Sequence, residues 1–493
     1  VRGGRVDALR FAQRWLFALD ASRARLEDAL SSPLVVPREL LTKYATSAPR
    51  YTSYPTAVDW SKTFDPNRYP ELLERASSSQ EPLSVYTHLP FCAELCLFCG
   101  CNVIISRSSS RMDTYLDALE REFAFVAARG MGARRVRQYH WGGGTPTQMS
   151  IAQLERVQAA FHRAFTLAPD AEVAVEVDPR VTTKEHVAWL AENGFNRVSL
   201  GVQDFDPAVQ EAINRVQSEQ ETRTVIDAAR TAGIRSINID LIYGLPNQTI
   251  ASFARTIERV IAIRPERIAL FHYAHVPWMK KHQNALETDR APSSEDKLTI
   301  FTRAIEQFQA AGYVYIGLDH FALPTDELAV ALNERKLQRN FMGYTTRRGG
   351  DMVSLGVSSI GDVAGSFVQN AAKEPDYLAA IEARGFATYR GHELSPDDSL
   401  RRDVIVGLMC NGVLSKREIE ARHGVVFDET FATELAALRP LEQDGLLHLT
   451  ADAIHLTDLG QVFMRNAALP FDRYFAARSA QGGDTGRTFS KTL

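Results

Sequence analysis

The chain has 493 residues, 45% hydrophobic and 24% charged, an ordinary globular composition long enough for two or three domains. Its formal charge of −4 offers no global basic field for nucleic acid, although a local group of arginines can still bind carboxylates. No run of about 18 apolar residues exists to span a bilayer, so a cytoplasmic, soluble monomer with no nucleic-acid or membrane partner is expected.

Residues 1–35 read as an N-terminal extension, helical or disordered. The stretch is Arg-rich, but it carries Asp7, Asp20, Glu27 and Asp28, which a transit peptide largely avoids, and it lacks the apolar region of a secretion signal. Residues 36–80 form a segment expected to pack near the active site. It contains Arg50-Tyr51-Thr52-Ser53-Tyr54-Pro55-Thr56, aromatic and polar with no helical period. From 81 to 365, short β-rich runs alternate with longer helical patterns. Strands are expected at Ser84–His88, Gln138–Trp141, Glu172–Val177, Arg197–Gly201, Ser236–Ile242, Arg267–His272 and Val314–Leu318. Helices are expected at Asp113–Ala128, Ile151–Phe165, Thr183–Glu192, Glu221–Ala232 and Ser252–Ile263. This alternation implies βαβ crossovers, hence an α/β fold built as a partial, open (β/α)-type parallel barrel of six or seven strands. Residues 366–478 read as a small, mostly helical, winged-helix-like domain with a hairpin over Gly445–Leu449 and Ala453–Leu456. Residues 479–493 read as a flexible polar tail.

Four of the five cysteines, Cys92, Cys96, Cys99 and Cys101, lie within ten residues. A secreted disulfide framework spreads its cysteines to close loops, so the clustering indicates a metal site in a reducing compartment. Cys92, Cys96 and Cys99, spaced C-x-x-x-C-x-x-C after the first strand, can wrap one face of an iron–sulfur cubane and leave its fourth iron without a protein ligand. Zinc is the competing reading. Zinc sites favour a second, distant Cys or His pair, which this pattern lacks, though Cys101 could serve as a fourth ligand. Cys410, in the apolar run Val404–Met409, reads as a core thiol.

The three cysteines, with Phe98 before the last of them, resemble the radical S-adenosylmethionine signature. Tyr86-Thr87-His88-Leu89-Pro90-Phe91-Cys92, Cys99-Gly100-Cys101-Asn102 and Trp141-Gly142-Gly143-Gly144-Thr145-Pro146-Thr147 are similar to the oxygen-independent coproporphyrinogen III oxidases of haem biosynthesis. So are Glu176–Arg180, Gly201–Phe205, Asn214-Arg215, Ile239–Pro246 and Asn340–Thr346. The related radical-type haem chaperones share the cysteines and the glycine loop. They typically carry Asp-Phe after the third cysteine, where this chain has Gly100-Cys101, and a Tyr-Glu-Ile-Ser-like stretch where it reads Asp319-His320-Phe321.

The resemblance implies a 4Fe-4S cluster that binds S-adenosylmethionine and yields a 5′-deoxyadenosyl radical. It further implies oxidative decarboxylation of coproporphyrinogen III to protoporphyrinogen IX, with two S-adenosylmethionine molecules and an electron-donor protein. Gly143, Gly144 and Thr145 follow a strand, and the unhindered glycine backbone lets a ligand approach closely. The resemblance gives these three the amino group of the cofactor and a second cofactor molecule; a bare glycine run would otherwise read as a tight turn. It likewise surrounds S-adenosylmethionine with Tyr86, Phe98, Glu176, Gln203, Arg215, Asp240, Ala274 and Ile360. Around the second cofactor molecule Arg215 is there a carboxylate clamp, Gln203 an amide partner and Asp240 an acceptor. Glu176 also fits a solvent-facing strand residue, and Ala274 and Ile360 also fit core positions. Asp240 sits in a largely apolar run, where a carboxylate needs a partner. His88 shares a strand face with Tyr86 and reads either as a packed, satisfied histidine or as a proton-handling group. Cys101, outside the cluster set, is needed for activity in the family and reads as a substrate contact or proton donor. Arg50 is the candidate clamp for a substrate carboxylate.

Overall fold

The computed structural model describes residues 34–61, 63–346 and 350–480. The extension expected over 1–35 and the tail expected over 479–493 therefore lie almost entirely outside the described residues. Residues 479 and 480 continue the last helix, Arg473–Ala480.

Twelve strands form one open sheet. In chain order they are β1 Leu83–Leu89, β2 Arg135–Gly143, β3 Thr166–Val177, β4 Arg197–Gln203, β5 Ser236–Tyr243 and β6 Arg267–His272. Then come β7 Val314–Gly317, β8 His320–Ala322, β9 Asp351–Leu355, β10 Ile360–Val363, β11 Ser366–Asn370 and β12 Thr388–Glu393. Their spatial order is β12-β11-β10-β9-β1-β2-β3-β4-β5-β6-β8-β7. The central seven, β9 and β1 to β6, are parallel. Helices α1 Ser109–Ala127, α2 Ile151–Ala164, α3 Lys184–Glu192, α4 Glu219–Thr231 and α5 Ile250–Ile263 provide crossovers between successive parallel strands. Their starts are written locally. Ser150 with Gln153 and Ser218 with Glu221 close capping boxes that satisfy the first free N–H groups.

Three expectations change. The strand at Val314 is an antiparallel edge, pairing with β8 across a tight turn. The seventh parallel strand is instead β9, five residues long, beside β1. The division expected at 365/366 falls inside a hairpin, because β10 and β11 pair from Ile360↔Gln369 to Val363↔Ser366. The sheet runs on to Glu393, and the helical, winged domain begins after it with Pro396–Asn411. That domain carries a three-stranded sheet of Val413–Ser415, Ala453–Leu456 and Leu447–Leu449 in that order.

The outer face of the sheet is packed by apolar side chains such as Val85, Tyr139, Val175, Leu200 and Ile239, all fully buried against the helices. The alternate positions point into the barrel and are polar. Tyr86 stands beside His140, and Glu176 beside Ser199, in direct register. A polar inner wall on an apolar frame is what a ligand site inside the barrel requires. Among the described residues no helix is long and apolar enough to cross a membrane.

The N-terminal segment lies against both parts. Arg465 and Asn466 of the C-terminal domain donate to the carbonyls of Ala48, Pro49 and Tyr44, and Tyr51 Oη reaches Asp472 at 3.2 Å.

Candidate active site

The loop from Pro90 to Val103 carries four thiols beyond the C-terminal end of β1, and neighbouring segments fix it from several sides. Phe91–Cys92 pairs with Ile104–Ile105 at its base. Leu97 N donates to Ile213 O at 3.0 Å, and Asn214 Nδ2 to Leu95 O at 2.8 Å. From the segment after β6, Gln283 Nε2 donates to Phe98 O at 3.0 Å and Lys280 Nζ to Cys101 O at 2.7 Å. His282 Nε2 lies 2.9 Å from Cys99 O. A cleft of about 360 Å³ opens beside this loop, lined by Cys92, Cys96, Cys99 and Cys101 on one side.

The sulfurs sit in a positive field. Cys96 Sγ has Arg180 Nη2 at 3.5 Å and Arg215 Nη1 at 3.6 Å. Both guanidiniums are held by one buried carboxylate, Asp178, at 2.7 and 2.9 Å. Burial raises the pKa of Asp178, but the charge of Arg215 and the bonds from Arg180 outweigh it and hold the carboxylate below its usual range. A hydrogen bond with Cys101 brings the Cys99 thiol down to about 6 against the opposing effect of burial. Burial pushes Cys92 up to about 11, and the bond with Cys99 keeps Cys101 protonated well beyond the ordinary thiol range.

Among the described residues no three His, Cys, Asp or Glu side chains converge to hold a metal ion as they stand. Cys92, Cys96 and Cys99 nevertheless open onto one cleft, with guanidiniums ready to offset the negative charge of bound thiolates. This donor set fits a cubane, whose three sulfur ligands stand further apart than those of a single ion, and binding would displace the remaining thiol protons.

The opposite wall comes from the ends of β2 to β5. At Gly143, with φ +115°, a Cβ would lie 2.5 Å from the His88 ring, and at Gly144 2.5 Å from the Pro90 carbonyl carbon, so only glycine admits this close loop. Glu176 accepts from Gly143 N at 3.2 Å and lies 3.3 Å from His140 Nε2, with 42% of its side chain still exposed. Gln203, at φ +69°, carries a buried Oε1 with no hydrogen-bond partner among the described residues. Asp240 accepts from Asn238 Nδ2 at 2.7 Å and Ser199 Oγ at 3.2 Å; burial and the charge of Glu176 lift it to about 7. Two facing carboxylates and an unmet amide oxygen suit a ligand rich in cations and hydroxyls. S-adenosylmethionine, with its ammonium, sulfonium and ribose, is such a ligand.

The cleft thus gathers Phe98, Gly143, Gly144, Thr145, Glu176, Gln203, Arg215 and Asp240 with the four cysteines. Thr145 Oγ1 lies 3.6 Å from Cys92 Sγ. Arg215 does not stand free as a clamp: Nη1 serves Asp178 and Cys96, Nη2 donates to Gly201 O at 2.6 Å, and Nε is buried without a partner among the described residues. Tyr86 and His88 lie behind the glycine loop. Tyr86 stacks on His140, and its hydroxyl donates to His88 Nδ1 at 3.0 Å, while His88 Nε2 donates to Asn102 O at 2.9 Å. Burial holds the His88 ring neutral, so it ties β1 to the end of the cysteine loop. Ala274 and Ile360 do not line the cleft: Ala274 is exposed after β6, and Ile360 opens β10. Arg50 is paired with the buried carboxylate of Asp319, an internal partner where a substrate carboxylate was expected. Asp178 and Arg180 had no role in the sequence reading, although both lie in the Glu176–Arg180 motif; an Asp-Pro-Arg triplet directly after a strand was the available signal.

A parallel sheet ending in a three-thiol loop, a glycine turn and paired carboxylates defines a radical S-adenosylmethionine protein, and the sequence model of the Radical SAM superfamily matches residues 86–260. The model of the HemN C-terminal domain matches residues 394–463, the winged region. Within that class the chain belongs to the oxygen-independent coproporphyrinogen III oxidase family. It is 41% identical to the oxidase of that name from Synechocystis sp., over 90% of this chain and 96% of that one. Against the oxidase from Salmonella typhimurium it is 43% identical over 89% and 96%. The solved coproporphyrinogen III oxidase of Escherichia coli, described as a radical SAM enzyme, superposes with a TM-score of 0.84 at 41% identity, over 89% of this chain and 99% of that one.

Proposed function

We propose that this chain carries out the oxygen-independent oxidative decarboxylation of coproporphyrinogen III to protoporphyrinogen IX. Each of two propionates loses a β-hydrogen atom to the 5′-deoxyadenosyl radical, then CO2, and passes one further electron to an external one-electron acceptor, to become a vinyl group. Two S-adenosylmethionine molecules are consumed per product, one for each propionate, and an electron-donor protein supplies the reducing electron. When bound, the 4Fe-4S cluster and S-adenosylmethionine supply the radical that takes the unactivated hydrogen.

Cys92, Cys96 and Cys99 hold the cluster, and Arg180 and Arg215 temper the charge on the Cys96 sulfur. Glu176 and Asp240 take the cationic groups of the cofactor, and Gln203 Oε1 accepts from a hydroxyl or ammonium. The Gly142–Gly144 backbone lets the cofactor approach, and Thr145 sits beside the Cys92 sulfur. Cys101 stands at the cleft as a substrate contact or proton donor. The observation that carries the reading is the single cleft in which three cysteines of one loop face two carboxylates and an unmet amide oxygen.

The test is anaerobic reconstitution with iron and sulfide, followed by S-adenosylmethionine, a reductant and coproporphyrinogen III. Protoporphyrinogen IX formed with 5′-deoxyadenosine is the expected result. Stable haem binding without decarboxylation would instead mark a haem chaperone.

A further inference from the structure

Two motifs that stand out in the sequence, Arg50–Thr56 and Asn340–Thr346, contribute nothing to the cysteine cleft. The structure brings them together elsewhere. A second cavity, also about 360 Å³, is lined by Tyr51, Ser53 and Tyr54 from the first motif and by Asn340, Phe341 and Thr345 from the second. It opens near the N-terminal ends of β1 and β9, at Ser84 and Asp351, away from the cluster loop.

The charges lining this cavity are equal in number but do not all pair with one another. Among the described residues they are Arg339, Arg402 and Arg422 against Asp351, Asp362 and Asp403. Arg402 pairs with Asp362, and Arg422 with Asp403, which His423 also reaches. Asp351 is taken by Arg134 and by the backbone N–H of Ala364. Arg339 pairs with none of these carboxylates, although its charge reaches the buried carboxylate of Asp319. Its Nε and Nη1 are buried and meet no acceptor among the described residues, and its guanidinium stands 4.8 Å over the Tyr344 ring.

The hairpin that carries it is firmly held. Asn340 Nδ2 donates to Gln138 Oε1 at 3.2 Å, and Tyr344 Oη to Met409 O at 2.9 Å. Buried N–H donors without an acceptor are costly unless a ligand completes them, and the planar guanidinium fork matches a carboxylate.

We infer that Arg339 is a substrate-binding residue that takes a propionate carboxylate of the tetrapyrrole in this second cavity. The inference rests on the proposed reaction: of four propionates two react at the radical site, and the other two need anchors away from it. Arg50 does not fill this role, being committed to Asp319.

The test uses the reconstituted holoenzyme with Arg339→Gln and Arg339→Lys, reading KM for coproporphyrinogen III, kcat, iron content and 5′-deoxyadenosine formed without substrate. Arg339→Gln is expected to raise KM about tenfold or more, as for a lost charge-assisted pair, with kcat and the other readouts within about twofold. Arg339→Lys, keeping the charge but not the fork, should fall between. A KM within about twofold of wild type, or a loss confined to kcat, overturns the inference. If Arg339→Gln fails to load its cluster, Arg339→Lys decides: a KM raised about threefold or more at preserved kcat supports the site, and an unchanged KM removes it. A wild-type enzyme that does not turn over coproporphyrinogen III would instead sink the proposed reaction, a separate and earlier failure.

Discussion

Asp178 Oδ2 accepts from Arg215 Nη1 at 2.9 Å, and that same nitrogen lies 3.6 Å from the sulfur of Cys96. Arg180 repeats the arrangement from the other side, 2.7 Å from Asp178 and 3.5 Å from Cys96. One buried carboxylate at the end of β3 therefore aims two guanidiniums at one sulfur. This is how a chain with an overall charge of −4 builds a positive pocket for thiolates.

Asp178→Asn should uncouple that pair. The side chain keeps its shape but leaves two buried cations facing each other, a change expected to cost about 3–5 kcal/mol of stability. Denaturant unfolding of the metal-free protein measures it. Iron and sulfide retained per chain after reconstitution should fall as well. Full stability with a full cluster would mean that the two arginines hold their place without Asp178.

The four thiols of the loop should separate into two kinds. Serine at Cys92, Cys96 or Cys99 is expected to abolish the cluster's visible absorption and the cleavage of S-adenosylmethionine, since a hydroxyl is a poor iron ligand. Cys101→Ser should keep iron content near wild type while protoporphyrinogen formation drops about a hundredfold or more, the scale of a lost proton donor. Loss of iron in Cys101→Ser would place that residue in the cluster set instead.

The parallel frame was legible because strands such as Ser236–Ile242 and helices such as Ser252–Ile263 differ plainly in hydrophobic period. The cysteine spacing and glycine turn were legible because each is contiguous in the chain. What escaped was assembled across it. The strand Asp351–Leu355 is only five residues long and becomes parallel by lying beside β1, more than 250 positions earlier. The ion pairs Arg50–Asp319 and Arg402–Asp362 likewise join distant segments. No local pattern in Arg50–Thr56 reveals that its arginine already has an internal partner.

Arg50 and Asp319 supply the clearest case of that kind. Asp319 is buried, with burial opposing ionisation and the charge of Arg50 holding the carboxylate well below its usual range. Arg50→Ala should thus destabilise the fold by about 3–5 kcal/mol by taking its main cation from a buried carboxylate, and Arg50→Ala combined with Asp319→Asn should recover most of the loss. Thermal unfolding of the single and double variants measures the coupling. Additive losses would show that the pair is not a unit. A raised KM that persists in the restored double variant would return Arg50 to the list of substrate clamps.

If Asp240 binds the cofactor, that binding should depend on pH. Its pKa is 3.8 in an unstructured chain and is lifted to about 7 in the fold, first by burial and then by Glu176. Between those values the folded state keeps a proton that the unfolded state releases, so stability declines as pH rises through the window and levels off above 7, by at most about 4 kcal/mol. Glu122, buried beside Gly356 and Tyr377 and also raised to about 7, contributes a slope of the same sign. The informative quantity is therefore the difference between wild type and Asp240→Asn, which should be steepest between pH 4 and 7. The same titration has the opposite effect on the ligand. A sulfonium or ammonium bound at Asp240 favours the carboxylate, so S-adenosylmethionine affinity should rise up to about tenfold per pH unit below 7 and then plateau. Anaerobic equilibrium dialysis from pH 6 to 8 reads this directly. Asp240→Asn should bind more weakly and lose the dependence, whereas a flat wild-type profile would remove Asp240 from the cofactor's cationic partners.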